Sequence, residues 1–219
     1  AELARQAGVS RRYLTEAEAG RANVTVAVLL RVAEPLRTTP AALLAAAEEP
    51  RSERVALLGL RGAGKSTVGR ELARLLEVPL VELDQRVEEA AGLSLSELFD
   101  LHGPGAFRRF EEEALERVLA EGERVVLATG GSLVTHASTF ERLRETCRTV
   151  WLRAEPEEHF QRVLAQGDRR PMQARPGAMD ELRAILAARE PLYARAEFVV
   201  RTSGKTPAAL GGEGLARLG

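Results

Sequence analysis

The segment Gly59–Thr67, Gly-Leu-Arg-Gly-Ala-Gly-Lys-Ser-Thr, constrains the fold of this chain more than any other. It follows the apolar run Val55–Leu58 and opens an amphipathic segment with Val68, Leu72 and Leu75 on one face. Strand, glycine loop and helix, in that order, are the context in which G-x-x-x-x-G-K-[ST] forms a P-loop. Gly59, Gly62 and Gly64 let successive backbone N–H groups turn inward on a phosphate without Cβ clashes. The helix that follows adds its N-terminal partial positive charge. Lys65 is placed to reach terminal phosphates, the Ser66 hydroxyl to hold a Mg²⁺ ion, and Thr67 lies in the same turn. The bland alternative is a glycine-rich turn that binds nothing. Phosphate binding does not by itself imply phosphoryl transfer.

A P-loop requires a buried strand, and the chain beyond it supplies neighbours. Short apolar strands are expected at Val55–Leu58, Leu80–Leu83, Arg124–Ala128, Thr149–Leu152 and Phe198–Arg201. Between them lie amphipathic stretches that predict helices over Phe107–Ala120, Pro156–Gln166 and Met179–Arg189. Such alternation implies an α/β domain, a mostly parallel sheet with helices on both faces and ligands at the strands' carboxyl ends. Residues 55–219 are enough for one core. Residues 46–54 are polar, contain Pro50 and lack apolar periodicity, so they read as a linker.

Residues 1–45 have another character. Glu2–Ala7 has helical composition, Gly8-Val9-Ser10 breaks it, and Arg11–Ala19 resumes. Gly8 is expected to end the first helix in a left-handed conformation and Ser10 to cap the second. Leu3, Ala4, Val9, Leu14 and Ala17 can then face inward between crossed helices, the spacing of a helix-turn-helix. Thr25 can cap a third helix carrying Val28, Leu29 and Val32, which Pro35 should end early or kink. Thr39-Pro40 starts a short fourth one through Leu44. Ala1 falls partway into what reads as a helix, so a truncated N-terminus is expected.

Charge and cysteine content limit the partners. The chain has 31 Lys and Arg against 32 Asp and Glu, a net charge of −1. Residues 1–50 hold six arginines and six glutamates, so the first domain has no overall basic footprint. A helical packing or dimerisation module with arginines on a solvated face is therefore an alternative to DNA binding there. No apolar run approaches a membrane span. The single cysteine, Cys147, excludes an internal disulfide and points to a reducing cytoplasm. His102, His136 and His159 are scattered without metal-ligand spacing.

Leu3–Leu14, with Glu18-Ala19-Gly20 after it, resembles the phage-repressor type of helix-turn-helix regulator. The resemblance lacks that family's first helix. It implies that the second helix of the motif lies in the major groove. By position, Ser10 would touch a phosphate, Arg11, Arg12 and Glu16 would face base edges, and Arg21 is a further phosphate contact. A homodimer on operator DNA is the implied arrangement.

Several polar groups fall just beyond strand ends in the second domain. They are Glu82-Leu83-Asp84, then Phe107-Arg108-Arg109-Phe110-Glu111 after the turn Gly103-Pro104-Gly105, then Thr129-Gly130-Gly131-Ser132. Gly167–Pro171 and Arg189-Glu190-Pro191-Leu192-Tyr193 complete the series. Singly each has a routine reading; Arg108 with Glu111, for instance, is an ordinary i, i+3 helix pair. In this order after a P-loop the set resembles shikimate kinase, from about Val55 to Arg201. That resemblance implies ATP and Mg²⁺, with Asp84, Arg108 and Arg189 binding a ring substrate's hydroxyls and carboxylate. Gly130 and Gly131 would line the same pocket through backbone N–H groups, and Arg170 would belong to a lid over the nucleotide phosphates. Lys65, Asp84 and Arg170 would be the catalytic set of an active kinase. Two departures stand out: Glu82, near the magnesium shell, replaces an aspartate, and Ser132 replaces a third glycine.

The fusion of both domains, together with Ala165–Met172 and Ala178-Met179, resembles the benzoyl-CoA-responsive repressors of bacterial benzoate catabolism. This implies that the kinase fold senses benzoyl-CoA or a related aromatic acyl-CoA. Coenzyme A carries an adenosine diphosphate unit suited to a P-loop, and benzoyl is a six-membered ring like shikimate. The expectation is a ligand-released transcriptional repressor. The alternatives are an active shikimate kinase with a helix-turn-helix appendage, and a P-loop interaction module that uses nucleotide only for stability.

Overall fold

In the computed structural model, residues 2–18, 22–41, 43, 53–122, 124–165 and 177–218 are described. The chain divides into two compact units, Ala1–Glu49 and Pro50–Gly219.

The first unit contains α1 (Glu2–Gln6), α2 (Arg11–Glu18) and α3 (Val26–Ala33). Gly8 adopts φ 63°, and the Val9 amide donates to Ala4 O at 3.0 Å, closing α1 as a left-handed glycine cap does. Ser10 Oγ accepts from the Tyr13 amide at 3.0 Å and so caps α2. The Tyr13 hydroxyl donates to Asn23 O at 2.9 Å, tying α2 to the segment that leads into α3. Thr25 caps α3 through Val28, and the helix ends at Ala33, two residues before Pro35. Ala4, Ala7 and Ala33 form the buried centre. Leu3, Val9, Leu14 and Ala17 are half-buried around it. A further turn begins after Thr39, with Leu43 N donating to Thr39 O at 3.0 Å; its expected end at Leu44 lies outside the described residues.

The second unit is a five-stranded parallel sheet in the order β2-β3-β1-β4-β5. Its strands are β1 (Arg54–Leu58), β2 (Leu80–Glu82), β3 (Val125–Ala128), β4 (Arg148–Arg153) and β5 (Phe198–Arg201). The crossovers are α4 (Lys65–Leu76), α5 (Leu83–Ala91), α6 (Leu95–Glu121), α7 (Ala137–Thr146), α8 (Pro156–Ala165) and α9 (Ala178–Tyr193), and α10 (Pro207–Leu218) closes the chain. Parallel strands buried on both faces read as continuous apolar runs, and β1 and β3 are buried throughout. Ala56, Leu58, Leu127 and Trp151 face one core with Leu115 and Phe140. Val55, Leu57, Val126 and Val150 face the other with Val68, Leu72 and Leu210.

Two elements differ from their sequence readings. The turn at Gly103-Pro104 is a kink inside one long helix: Gly103 takes φ 71° and ψ 178°, and Pro104 starts the second segment. That position suits proline because its missing N–H has no partner to lose there. Second, α9 does not stop at Arg189 but runs through Pro191 to Tyr193. The last turn is held by two side chains one turn apart, since Arg189 Nη1 and the Tyr193 hydroxyl both donate to Gly131 O, at 3.0 and 2.5 Å.

Candidate functional site

The P-loop joins β1 to α4 at the carboxyl edge of the sheet. Gly59, Gly62 and Gly64 all have positive φ, at 144°, 79° and 93°. A Cβ on Gly62 would lie 2.8 Å from His159 O, and one on Gly59 would lie 2.8 Å from Leu152 O. Packing as well as backbone conformation therefore requires glycine there. From behind, α8 grips the loop: His159 Nδ1 bonds Arg61 O at 3.0 Å, and Arg162 Nη1 donates to Gly62 O at 3.4 Å. His159 is buried, which together with the nearby Lys65 and Arg162 charges pushes its pKa down, against the pull of the Arg61 carbonyl. The sequence carries no signal of this hold on the loop, because His159 and Arg162 look like ordinary helix residues there.

Lys65 Nζ donates to Gly59 O at 2.7 Å and Leu60 O at 3.1 Å. Burial lowers its pKa to about 8, against the attraction of Asp84 and Glu82. Ser66 and Thr67 are exposed in the first turn of α4. With Lys65, Asp84 and Gly131 they line one cleft of about 840 Å³, whose far wall is Leu95 and Phe99 of α6. A serine hydroxyl and one or two carboxylates suit Mg²⁺, which completes its shell with phosphate oxygens and water. Ser66 and Asp84, which both line the cleft, fit that description, and Glu82 is near enough for its charge to act on Lys65 and Asp84. Among the described residues, no group of three or more His, Cys, Asp or Glu forms a self-sufficient metal site.

Beside the P-loop, two carboxyl groups meet at a glycine. A Cβ on Gly130 would stand 2.8 Å from Asp84 Oδ1 and 3.2 Å from Glu111 Oε1. Asp84 sits in the first turn of α5, not at the strand end, and burial raises its pKa while Lys65 opposes the rise. Glu111 is 1% exposed and its Oε1 has no hydrogen-bond partner. Burial first, then the neighbouring Asp84, pushes its pKa to about 8. The i, i+3 pairing of Arg108 with Glu111 is thus corrected: Arg108 is exposed, and Glu111 turns into the core beside Asp84. The Arg108 charge reaches Glu111 only as a lesser pull on its pKa.

Gly131 links this corner to the P-loop. A Cβ there would lie 3.2 Å from the Arg61 amide nitrogen, and its carbonyl is the acceptor for Arg189 and Tyr193. Burial holds the Tyr193 hydroxyl protonated, its pKa raised to about 12. Ser132 is half-buried and starts a short 3-10 turn, Leu133–Thr135, accepting from the Thr135 amide and hydroxyl through its carbonyl. The structure therefore brings together Lys65, Asp84, Glu111, Gly130, Gly131 and Arg189. Arg170 and the rest of the expected lid lie outside the described residues.

In the first unit, Arg11 and Arg12 are both exposed in the first turn of α2. Glu16 is half-buried and has a partner. Arg21 lies outside the described residues. No helix among the described residues is long and apolar enough to cross a membrane.

Comparison with known proteins places both units. Residues 61–217 match the shikimate kinase family, and residues 1–43 match a helix-turn-helix family. A shikimate kinase of Symbiobacterium thermophilum is 43% identical over 146 residues, covering 66% of this chain and 83% of that protein. One from Paracidovorax citrulli is 43% identical over 157 residues, covering 70% and 85%. The structure of shikimate kinase from Acinetobacter baumannii in complex with shikimate superposes with a TM-score of 0.69 at 31% identity, covering 74% of this chain and 90% of that one. This chain belongs to the shikimate kinase family and carries an N-terminal helix-turn-helix domain.

Proposed function

We propose that the chain is a DNA-binding transcriptional regulator, a repressor of benzoate-catabolism genes released from its operator by benzoyl-CoA. The observation that carries this reading is the fusion itself: a capped helix-turn-helix with exposed Arg11 and Arg12 precedes a kinase-family domain on one chain. A metabolic kinase has no use for a groove-reading helix. In this reading Ser10, Arg11, Arg12, Glu16 and Arg21 face DNA, and a homodimer reads two half-sites. Gly59, Gly62, Gly64, Lys65, Ser66, Thr67 and Arg170 hold the diphosphate of coenzyme A. Asp84, Arg108, Gly130, Gly131, Ser132 and Arg189 surround the ring. A Glu111 with a pKa near 8 is largely neutral at pH 7, so an apolar ring beside it does not strand a charge.

A second reading, an active shikimate kinase using ATP and Mg²⁺, is favoured by the retained Lys65 and Asp84, which attract one another across the cleft. It is also favoured by 43% identity to proteins named for that activity. Titration of the purified protein with benzoyl-CoA, benzoate, shikimate and ATP separates the two. Binding and release from promoter DNA are followed together with a coupled assay for ADP. Release by benzoyl-CoA without turnover supports the regulator. Turnover of shikimate, with DNA binding indifferent to benzoyl-CoA, supports the enzyme.

A further inference from the structure

Where β4 and β5 end side by side, Arg153 and Arg201 are register partners on neighbouring strands, and both are exposed. Ser203 and Lys205 from the loop after β5, and Glu155 from the loop after β4, complete a groove of about 400 Å³. Like charges abreast on a sheet repel. Carboxylates answer two of the three cations: Glu190 meets Arg153 at 2.6 Å, and Glu213 pairs with Lys205. Among the described residues, no carboxylate oxygen lies within 4.0 Å of Arg201.

This groove adjoins the P-loop. Arg162 Nη1 bridges Gly62 O, at 3.4 Å, and Thr202 Oγ1, at 3.3 Å, so one side chain separates the two loops. The groove's walls are fixed by bonds from the Thr202 amide to Arg153 O at 2.8 Å and from the Glu155 amide to Ser203 Oγ at 3.3 Å. β5 lies two strand spacings from β1, about 10 Å. A nucleotide with its diphosphate on the P-loop spans that distance with its ribose.

We propose that the Arg153–Arg201–Lys205 groove is an anion subsite for a phosphate carried on the ribose of a P-loop-bound adenine nucleotide. It would make the domain prefer a 3′-phosphorylated nucleotide, such as coenzyme A, to ATP or ADP, which have no such group. This rests on the reading of the P-loop as the effector's diphosphate site. Arginine suits the role because its planar fork binds phosphate oxygens in pairs.

The test is calorimetric titration of the full chain with coenzyme A and with 3′-dephospho-coenzyme A, for the parent, Arg201→Gln and Arg201→Lys. A charge-assisted contact in an open, solvent-screened groove should give the parent about a tenfold preference for coenzyme A. Arg201→Gln should cut that preference below about twofold by weakening coenzyme A alone, while Arg201→Lys keeps part of it. Equal affinity of the parent for both ligands, or a preference that survives Arg201→Gln, would overturn the subsite while leaving the P-loop reading intact. If neither ligand binds, the effector reading fails and the subsite with it.

Discussion

Glu111 loses its water on folding and gains no hydrogen bond at Oε1 in return. Burial and the Asp84 charge raise its pKa from the ordinary 4.5 to about 8. The folded chain therefore keeps a proton that the unfolded chain releases. Stability from that proton is complete below about pH 4.5 and is lost as pH rises through about 8. Glu111→Gln keeps the shape and removes the titration. Its melting temperature should match the parent's near pH 5 and exceed it by about 10 °C or more above pH 8, with a flatter dependence between. Thermal denaturation against pH checks this, and a parent-like slope in the variant would contradict it. Residues of this kind mark the limit of what the sequence discloses. The motif order located Glu111, but only its place against Gly130 distinguishes a buried carboxyl group from a surface ion pair. The glycines and Lys65 were legible because chemistry restricts their positions so tightly.

Among the elements, α2 bears the most direct prediction. Arg11 and Arg12 stand on its exposed first turn, where a groove-reading helix meets base edges. Arg12→Ala should cost about 1–3 kcal/mol of operator affinity and relax preference at one base position, as loss of a bidentate guanine contact does. Ser10→Ala should lower the stability of the first unit by about 1 kcal/mol through loss of its bond to the Tyr13 amide. Footprinting should show two half-sites about one helical turn, or a multiple of it, apart. Binding unchanged in Arg12→Ala, with no such pair of sites, would remove the reading role. At this scale the five strands were legible to within a residue at each end, since a buried parallel strand is a continuous apolar run. The helices α5, α7 and α10 and the first segment of α6 were not. Their apolar positions are interrupted by Ala, Gly and charged residues, and their faces are defined by packing partners distant in sequence. The end of α9 at Tyr193 is hidden in the sequence for a related reason. Pro191 is a local stop signal, overridden by the Arg189 and Tyr193 bonds to Gly131.

For the whole molecule, the question is whether a kinase-family domain has been turned to sensing. Shikimate-dependent turnover of ATP should fall well below the usual kinase range of about 1–100 s⁻¹. Glu82 places its carboxylate one methylene farther out than the expected aspartate, Ser132 adds a side chain where glycine is expected, and positioning dominates phosphoryl transfer. A coupled assay giving a kcat inside that range would instead make the protein a bifunctional enzyme. Release from DNA requires the effector to bind the DNA-incompetent arrangement more tightly than the competent one, because affinity alone shifts no equilibrium. By linkage, operator DNA must weaken effector binding by the same factor. The most direct measurement is operator affinity, by fluorescence anisotropy, across a benzoyl-CoA titration of the parent and of Lys65→Ala. The expected result is a parent whose operator affinity falls about 5–150-fold at saturation, a coupling of about 1–3 kcal/mol, and a Lys65→Ala variant that binds operator normally but does not respond. Operator affinity that stays constant while benzoyl-CoA demonstrably saturates the parent would contradict the sensor function.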